Sequence, residues 1–591
     1  MVLSLDQAVI RLLVPLAIAM LVSGLDDLVI DAAWCAAWLH RKLRPRASFF
    51  PPGPLQLDSA PRHRIAIVLP LWQEHEVIGR MLEHNAVSIR YPDYHIFCGA
   101  YPNDDRTQAA VGRAAKKFSN IHLVLCPHDG PTSKADCLNW IFQHLGLHEE
   151  RYKTRFEVIV MHDAEDIIHP DELRWINYYA ARYDFIQTPV LPLATPIRNL
   201  THGLYCDEFA EYHTRDMPVR PLLGGFVPGA GVGTGFRRAA LDRLAEAAAN
   251  RVFEPEALTE DYENGLRMFR LGCAQAFVPL ARSGPRRDFC ATREFFPQTW
   301  SAALRQRTRW VTGIALQGWQ RHGWGKNLGE AYWLWRDRKG LIANPLSAAA
   351  NFVFLYGAAT HVWTRATPLA LGVARLTLAC ALLRAAVRIA CSARIYGPLF
   401  AVFAPLRAVY GNVLNTAATM QAVARFAKAR ALGRPLKWLK TDHAFPARSA
   451  LLEHKKKLGE ILTGSGNLSA AALQAALATK PADLRLGEHL VQLGALDEAS
   501  LYEALSLQQG LPVSAPDPNE IRLAIARALP EHVCRRWRVL PFRVAGVSLY
   551  LGTPEIPSPE MTAAVGEFTS LEIRFHLMTP AKFEELARAL L

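Results

Sequence analysis

Two acidic pairs and one polar triad carry most of the chemistry that this sequence could perform. Asp163 and Glu165, in His162-Asp163-Ala164-Glu165-Asp166, stand two apart just beyond an apolar run. Such a pair can hold the divalent cation, Mg or Mn, that a diphosphate leaving group needs to neutralise its charge. Glu260 and Asp261, in Leu258-Thr259-Glu260-Asp261, can supply a general base that deprotonates a hydroxyl. Gln306, Arg309 and Trp310, in Gln306-Arg307-Thr308-Arg309-Trp310, suit a diphosphate and a sugar face together through charge-assisted bonds and ring stacking. Each piece alone has a plainer reading. The first two are good helix starts, and the third is a basic amphipathic helix on a membrane surface.

These residues lie far apart in sequence and need a scaffold to bring them together. Residues 64–70, 95–98, 121–125 and 158–161 are short apolar runs, separated by polar helical stretches and each ending in polar residues. Strand-helix alternation of this kind predicts a mainly parallel sheet with its chemistry at the carboxyl ends of the strands. Pro70-Leu71-Trp72-Gln73-Glu74, Tyr101-Pro102-Asn103-Asp104 and the tetrad at Asp163 stand at such ends. The glycine-rich Gly229-Ala230-Gly231-Val232-Gly233-Thr234-Gly235-Phe236 does not fit a dinucleotide fingerprint, which belongs after the first strand. Its glycines let backbone approach a ligand closely.

The chain of 591 residues is too long for one core, and half of it is hydrophobic with 20% charged, which suits a mixed soluble and membrane protein. Residues 12–25 carry no charge, and Arg41, Lys42, Arg44 and Arg46 follow them, so an uncleaved span with a cytoplasmic C-terminal end is expected rather than a signal peptide. Residues 341–363 are uncharged and long enough to cross a bilayer. Residues 367–383 form another span whose Arg375 should face protein or water, and the Pro- and Arg-broken 397–423 reads as interfacial or re-entrant. The net charge of +13 gathers at these flanks, with Arg384, Arg388, Arg394, Lys428, Arg430, Arg434, Lys437 and Lys440 around the later spans. That placement favours a membrane over nucleic acid as the partner. The ten cysteines show no CxxC pair or regular spacing, so they indicate neither a disulfide framework nor a zinc site.

Near the C-terminus Lys457-Leu458-Gly459-Glu460 recurs 28 residues later as Arg485-Leu486-Gly487-Glu488. The register holds at Leu462/Leu490, Gly466/Gly494, Leu468/Leu496, Leu473/Leu501 and Leu477/Leu505, which predicts two short helix pairs packed on each other.

In this order the acidic and Gln-Arg-Trp elements resemble glycosyltransferase family 2, whose processive synthases carry a divided Asp, DxD, TED and QxxRW signature on a GT-A fold. The resemblance implies uridine and nucleotide-sugar binding at Glu74, Asp104, Lys134 and Asp163, metal binding by Asp163 and Glu165, and catalysis by Asp261 beside Glu260. It places Gln306, Arg309 and Trp310 on the diphosphate and the acceptor end of the glycan, with Gly233 and Thr234 in the acceptor and sugar pocket. Glu165 stands where the family usually has aspartate.

The C-terminal repeats resemble the MshEN domain of type II secretion ATPases, which binds cyclic di-GMP through two tandem RLG…G…L…L…Q motifs. The second copy is complete, with Arg485, Leu486, Gly487, Leu490, Gly494, Leu496, Leu501, Leu505 and Gln508. The first has Lys457, Leu458, Gly459, Gly466 and Leu468 but departs at Lys457 for arginine and Lys480 for glutamine. No GxxxxGK[ST] follows, so the ATPase half is absent. A packing repeat without ligand is the alternative.

The whole layout, with Leu25-Asp26-Asp27-Leu28, Ser133-Lys134-Ala135-Asp136-Cys137-Leu138-Asn139-Trp140 and Arg293-Glu294-Phe295-Phe296-Pro297, is similar to the bacteriophage adsorption protein B family. The resemblance implies an α/β GT-A domain (62–325) inserted between transmembrane helices (1–45 and 330–430), followed by a small α/β MshEN-like domain (447–591). It implies a multi-pass bacterial inner-membrane enzyme with cytoplasmic catalytic and C-terminal domains, acting among membrane lipids. Such an enzyme would build a surface exopolysaccharide from a UDP-sugar, transferring a hexose or N-acetylhexosamine processively and with inversion, under cyclic di-GMP control. The glycan would serve phage as a receptor and leave through an outer-membrane export partner. Two other readings stand beside it: a catalytically silent cyclic di-GMP receptor scaffold for an envelope or secretion complex, and a transferase adding one sugar to a lipid carrier.

Overall fold

The computed structural model describes residues 2–43, 54–248, 250–282, 288–433, 457–464, 467–481, 483–509, 511–545 and 548–591. Contacts divide it into two units, Met1–Met81 with Ile89–Phe445, and Leu82–Ser88 with Pro446–Leu591. Gly466 and the flanking cations Arg44, Arg46, Arg434, Lys437 and Lys440 lie outside the described residues.

The four apolar runs form β1 (Ile65–Pro70), β2 (Tyr94–Ala100), β3 (Ile121–Leu125) and β4 (Val158–Met161). They pair in parallel, and β5 (Phe185–Gln187), β7 (Thr234–Arg237) and β8 (Gln275–Phe277) extend the sheet to the order β3-β2-β1-β4-β7-β5-β8. Only β7 runs against the rest, because the glycine-rich segment feeds it between β4 and β5 from the opposite end. Ala66, Val68, Phe97, Ile159, Met161, Phe185 and Phe236 share one core with Leu138, Ile141 and Leu145 of helix Lys134–Tyr152. Each large side chain sealed there contributes about 1.5 to 3 kcal/mol. Val68 pairs with Met161, so the loops after β1 and β4 emerge side by side at the carboxyl edge. A second small sheet, β6 (Val190–Pro192) with β9 (Thr292–Glu294), leads into helix Trp300–Trp310.

Among the described residues, three helices are long and apolar enough to cross a membrane: Leu5–His40, Gly340–Thr360 and Pro368–Tyr396. They pack through Val9, Leu13, Leu16, Val353 and Ala370. At one end Asp6 pairs with Arg365 at 3.0 Å and accepts from the Tyr356 hydroxyl. At the other, Asp26 and Asp27 meet Arg336 and Lys339. Residues 5–25 between these ends span roughly 31 Å at 1.5 Å per residue, the thickness of a hydrocarbon layer. Arg375 is exposed on helix Pro368–Tyr396, without an ion pair among the described residues. It lies roughly 10 Å along the helix from its start, near enough for a long side chain to reach the membrane surface. Residues 397–423, expected to be interfacial, enter helices Pro398–Ala401 and Ala404–Ala431, neither a candidate span. Arg407 there is sealed, and Asp207 accepts from its Nε at 2.6 Å.

In the C-terminal unit, Leu458–Gly464 with Ala470–Thr479 and Leu486–Gln492 with Glu498–Gln509 are the two expected helix pairs. A three-stranded sheet follows, with β11 (Ser548–Thr553) antiparallel to β10 (Leu540–Ala545) and parallel to β12 (Glu572–Leu577). Leu540 and Met578 pack there against Phe583 and Leu586 of helix Pro580–Leu590.

Candidate active site

The carboxyl edge of the sheet opens into a cavity of about 860 Å³. Glu74, Lys134, Asp163, Glu165, Glu260, Asp261, Gln306, Arg309 and Trp310 all line it. Lys134 opens helix Lys134–Tyr152, whose N-cap Ser133 accepts the Asp136 amide at 3.2 Å. A cation at a helix N-terminus opposes the helix dipole, so other charges must hold it there. Its Nζ lies 2.6 Å from Asp163 Oδ1 and 4.0 Å from Glu260 Oε1. Although burial opposes its charge, Asp163, Glu260 and Asp261 keep Lys134 protonated well above the ordinary lysine range.

Glu260 and Asp261 begin helix Glu260–Arg270, as the helix-start reading expects, although the Thr259 side chain makes no cap bond. Burial, and then the charge of Asp261, push Glu260 up to about 7 against the pull of Lys134. Burial likewise raises Asp261, opposed by Lys134 and Arg309. Gly231 (φ +82°) passes over the pair so closely that a Cβ there would stand 2.6 Å from Asp261 Oδ2. Gln306, Arg309 and Trp310 recur at helical spacing on one face of Trp300–Trp310. Arg307 points elsewhere, donating to Glu208 at 2.6 Å and to Asn415, which fixes the helix. Arg309 donates to the Leu258 carbonyl at 3.2 Å. The π-helical continuation Val311–Gln317 brings Gly313 so near Thr259 that a Cβ would meet its Oγ1 at 2.5 Å. The two motifs are therefore packed into one wall. Nε of Arg309 and Oε1 of Gln306 are buried with no hydrogen-bond partner among the described residues, as expected of groups reserved for a ligand. Asp163 and Glu165 offer an all-oxygen donor set, which fits a hard divalent cation.

Asp104, Gly233 and Thr234 do not line the cavity. Asp104 accepts the Gln73 amide at 2.6 Å and caps helix Asp105–Lys117, which steadies the loop carrying Glu74. Thr234 is sealed and donates to Gln187 Oε1 at 2.7 Å, while a Cβ on Gly233 would meet Thr188 Oγ1 at 2.1 Å. Gly229, Ala230 and Val232 form the wall in their place.

In the C-terminal unit, Arg485 and Lys457 are exposed. Gly459 and Gly487 admit the equivalent leucines, since a Cβ on either would meet Leu473 at 2.9 Å or Leu501 at 2.5 Å. Leu490, Leu468, Leu496 and Leu501 are buried and hold the helices together, while Leu458, Leu486 and Leu505 are half-buried. Gln508 is half-buried near the end of Glu498–Gln509, and Gly494 (φ +66°) turns the chain after Leu486–Gln492. Lys480 Nζ donates to the Pro481 and Leu484 carbonyls at 2.8 Å.

Residues 61–313 match the family model described as Glycosyltransferase like family 2, and residues 509–591 match the MshEN domain. Over 594 aligned residues the chain is 34% identical to bacteriophage adsorption protein B of Escherichia coli (strain K12), an alignment covering 95% of this chain and 79% of that relative. The chain belongs to the bacteriophage adsorption protein B family. Bacteriophage N4 adsorption protein B of Escherichia coli O157:H7 matches with the same identity and coverage. This family member is a glycosyltransferase with a C-terminal MshEN domain and helices apolar enough to span a membrane. Among solved structures it is similar to a mannosyltransferase from Pyrobaculum calidifontis in complex with GDP-Man and Mn2+, at 15% identity and TM-score 0.42 over 70% of this chain and 99% of that one. It is also similar to MshE with cdg, at 27% identity and TM-score 0.20 over 23% of this chain and 100% of that one. The repeats at 457–508 precede the MshEN match.

Two features of this family member carry no signal in its sequence motifs. His162, sealed behind the loop that carries Asp163 and Glu165, lies with Nδ1 2.8 Å from Asp166 and Nε2 3.0 Å from Glu172. Burial opposes its charge, but Glu172 and Asp166 outweigh it and push His162 up to about 9. The Asp166 carboxylate also accepts from the Asp163 amide at 2.9 Å, so the buried group steadies the backbone at Asp163. The second feature is an ion network at the foot of the apolar helices, where Glu211 meets Arg388 at 2.5 Å, Arg384 at 3.1 Å and Arg215 at 3.2 Å. These four side chains line the same cavity, which therefore runs from Glu260 and Asp261 to the apolar helices.

Proposed function

We propose that this protein is an inner-membrane, inverting glycosyltransferase that takes a hexosyl or N-acetylhexosaminyl group from a UDP-sugar and extends a surface exopolysaccharide processively, under cyclic di-GMP control. The observation that carries the reading is the convergence of Asp261, Lys134, Arg309 and Trp310 on one cavity that continues to the apolar helices. Glu74 at the cavity wall orients the nucleoside. Lys134 and Arg309 present positive charge to the diphosphate, strengthening as the glycosidic bond breaks. Trp310, packed on Tyr205 at 6.0 Å, offers a ring to the acceptor sugar. Asp261 takes the proton of the acceptor hydroxyl, which attacks the anomeric carbon from the face opposite the departing nucleoside diphosphate, so one displacement inverts the centre. A divalent cation held by Asp163 and Glu165 would neutralise charge on that diphosphate.

Cyclic di-GMP at the basic ends of the repeats, around Arg485 and Lys457, would favour the active enzyme only if it binds that state more tightly. The growing glycan would pass along the cavity toward the apolar helices and on to an outer-membrane partner. The phage-adsorption names of the relatives support a surface glycan as product. Radiolabelled sugar incorporation in membrane vesicles, across a panel of UDP-sugars with and without cyclic di-GMP, tests the reading. Incorporation from one donor, raised by the dinucleotide, is expected. No incorporation from any donor would refute it.

A further inference from the structure

At the amino ends of the strands, away from the catalytic cavity, three histidines meet. His95 stands near the start of β2 and His122 near the start of β3. Because Phe97 pairs with His122, His95, two residues before Phe97, shares its face of the sheet. His148 comes down onto that face from the last turns of helix Lys134–Tyr152. One ring nitrogen from each histidine lies within 4.8 Å of the other two. Nδ1 of His95 and Nε2 of His122 are 2.8 Å apart, so the pair shares a single proton. All three rings are half-buried, and Phe97 and Phe156 pack around them.

We propose that His95, His122 and His148 form a three-imidazole site for a tetrahedral transition-metal ion, zinc by ligand type, which ties helix Lys134–Tyr152 to the edge of the sheet. Zinc bonds imidazole nitrogen at about 2.0 to 2.1 Å, so adjacent ligands on a tetrahedron stand roughly 3.3 Å apart. The observed separations, from 2.8 Å to no more than 4.8 Å, bracket that value. Small rotations of the side chains therefore suffice. Asp93, which acts on His95, is taken by Arg64 at 3.0 Å, and Glu149, beside His148, by Arg238 at 2.9 Å, so the donor set is all nitrogen. An all-nitrogen set selects a different ion from the all-oxygen pair Asp163 and Glu165. The ion is structural, since His148 lies roughly 21 Å along the helix from Lys134. It would anchor the far end of the helix whose first residue holds the catalytic carboxylates. The inference stands independently of the sugar donor and of cyclic di-GMP.

The test uses the full chain in detergent, purified without a histidine tag, stripped by a chelator and titrated with Zn2+ alone or Co2+ alone. Cobalt in a tetrahedral nitrogen site absorbs strongly in the visible, whereas an octahedral oxygen site is only weakly coloured. Wild type should take up one cobalt with the strong tetrahedral spectrum, displaced by zinc. His122→Phe, which keeps a ring against Phe97, and His148→Gln should each lose at least about 100-fold in affinity, beyond the 10- to 100-fold typical of losing an outer-shell partner. Asp163→Asn should keep the spectrum, and circular dichroism verifies folding of every variant. No tetrahedral spectrum in wild type, its survival in both folded histidine variants, or its loss in folded Asp163→Asn would overturn the proposal.

Discussion

The ammonium of Lys134 lies 2.6 Å from Asp163 Oδ1, which ties the first turn of one helix to the loop beyond β4. Glu260 and Asp261 face the same ammonium, so carboxylates from two distant segments share one protein cation. Carboxylates in excess of cations raise one another, and Glu260 titrates near 7 as a result of burial and of Asp261. The site is thus short of positive charge before any substrate arrives.

Removing the proposed base should separate chemistry from binding. Asp261→Asn is expected to lower sugar transfer by about 10²- to 10⁴-fold, the usual contribution of a positioned acid or base. Nucleotide affinity should stay largely intact, because Lys134, Glu74 and Arg309 remain. Label incorporation and equilibrium nucleotide binding on the same preparation check this, and normal polymer yield from the variant would sink the assignment.

His162 should make stability depend on pH. Its folded pKa, about 9, lies above the ordinary 6.5, so its contribution is fully present below pH 6.5 and is lost as pH rises through 9. The shift is worth at most about 3 kcal/mol, since each pKa unit corresponds to about 1.4 kcal/mol. Thermal unfolding between pH 6.5 and 9 should show a falling midpoint in wild type and a flatter profile in His162→Gln. Parallel profiles for the two proteins would remove the charged-histidine account.

The strands were legible because each is an apolar run, sealed inside the sheet where it is central, as 0% exposure of Ile65, Ala66 and Ile67 in β1 illustrates. The acidic and Gln-Arg-Trp motifs were legible because their spacing is local. Gly233 and Thr234 were expected in the pocket and stand behind it, since Gly231 and Gly233 both take positive φ and redirect the chain twice within three residues. Sequence does not reveal which side of such a turn meets a ligand. Glu172 becomes the partner of His162 only through packing, ten residues on and across a turn. Arg215 and Asp31, 2.7 Å apart, are 184 residues apart in the chain, and no local pattern announces such a pair.

The catalytic domain and the C-terminal unit are expected on the same, cytoplasmic side of the membrane. Two candidate spans, Gly340–Thr360 and Pro368–Tyr396, separate the catalytic cavity from the C-terminal unit. An even number of crossings returns the chain to its starting side. Alkaline phosphatase inserted after Thr364 should be active in the periplasm, while a fluorescent protein fused at Leu591 should fluoresce in the cytoplasm. A periplasmic C-terminus would refute this topology.

The two repeats are unequal, and their inequality gives a graded test of ligand binding. Their glycines and buried leucines are accounted for by packing: Gly487 admits Leu501 and Gly459 admits Leu473. Each copy opens on an exposed cation, Arg485 in the second and Lys457 in the first. A charge-assisted bond from Arg485 to a phosphate or guanine is worth roughly 1.5 to 3 kcal/mol, so Arg485→Ala should weaken cyclic di-GMP binding by about ten- to hundredfold. Lys457→Ala should weaken it less, because an ammonium supplies charge without the planar face that stacks on a base. Lys457→Arg should tighten it. Calorimetry on the full chain in detergent reads all three, with Gly487→Ala as a control in which lost affinity should accompany lost stability of the helix pair. If wild type binds no cyclic di-GMP at high micromolar concentration, the repeats are a packing module. The transferase assignment survives that outcome, because it rests on Asp163, Asp261 and Arg309 in the other unit.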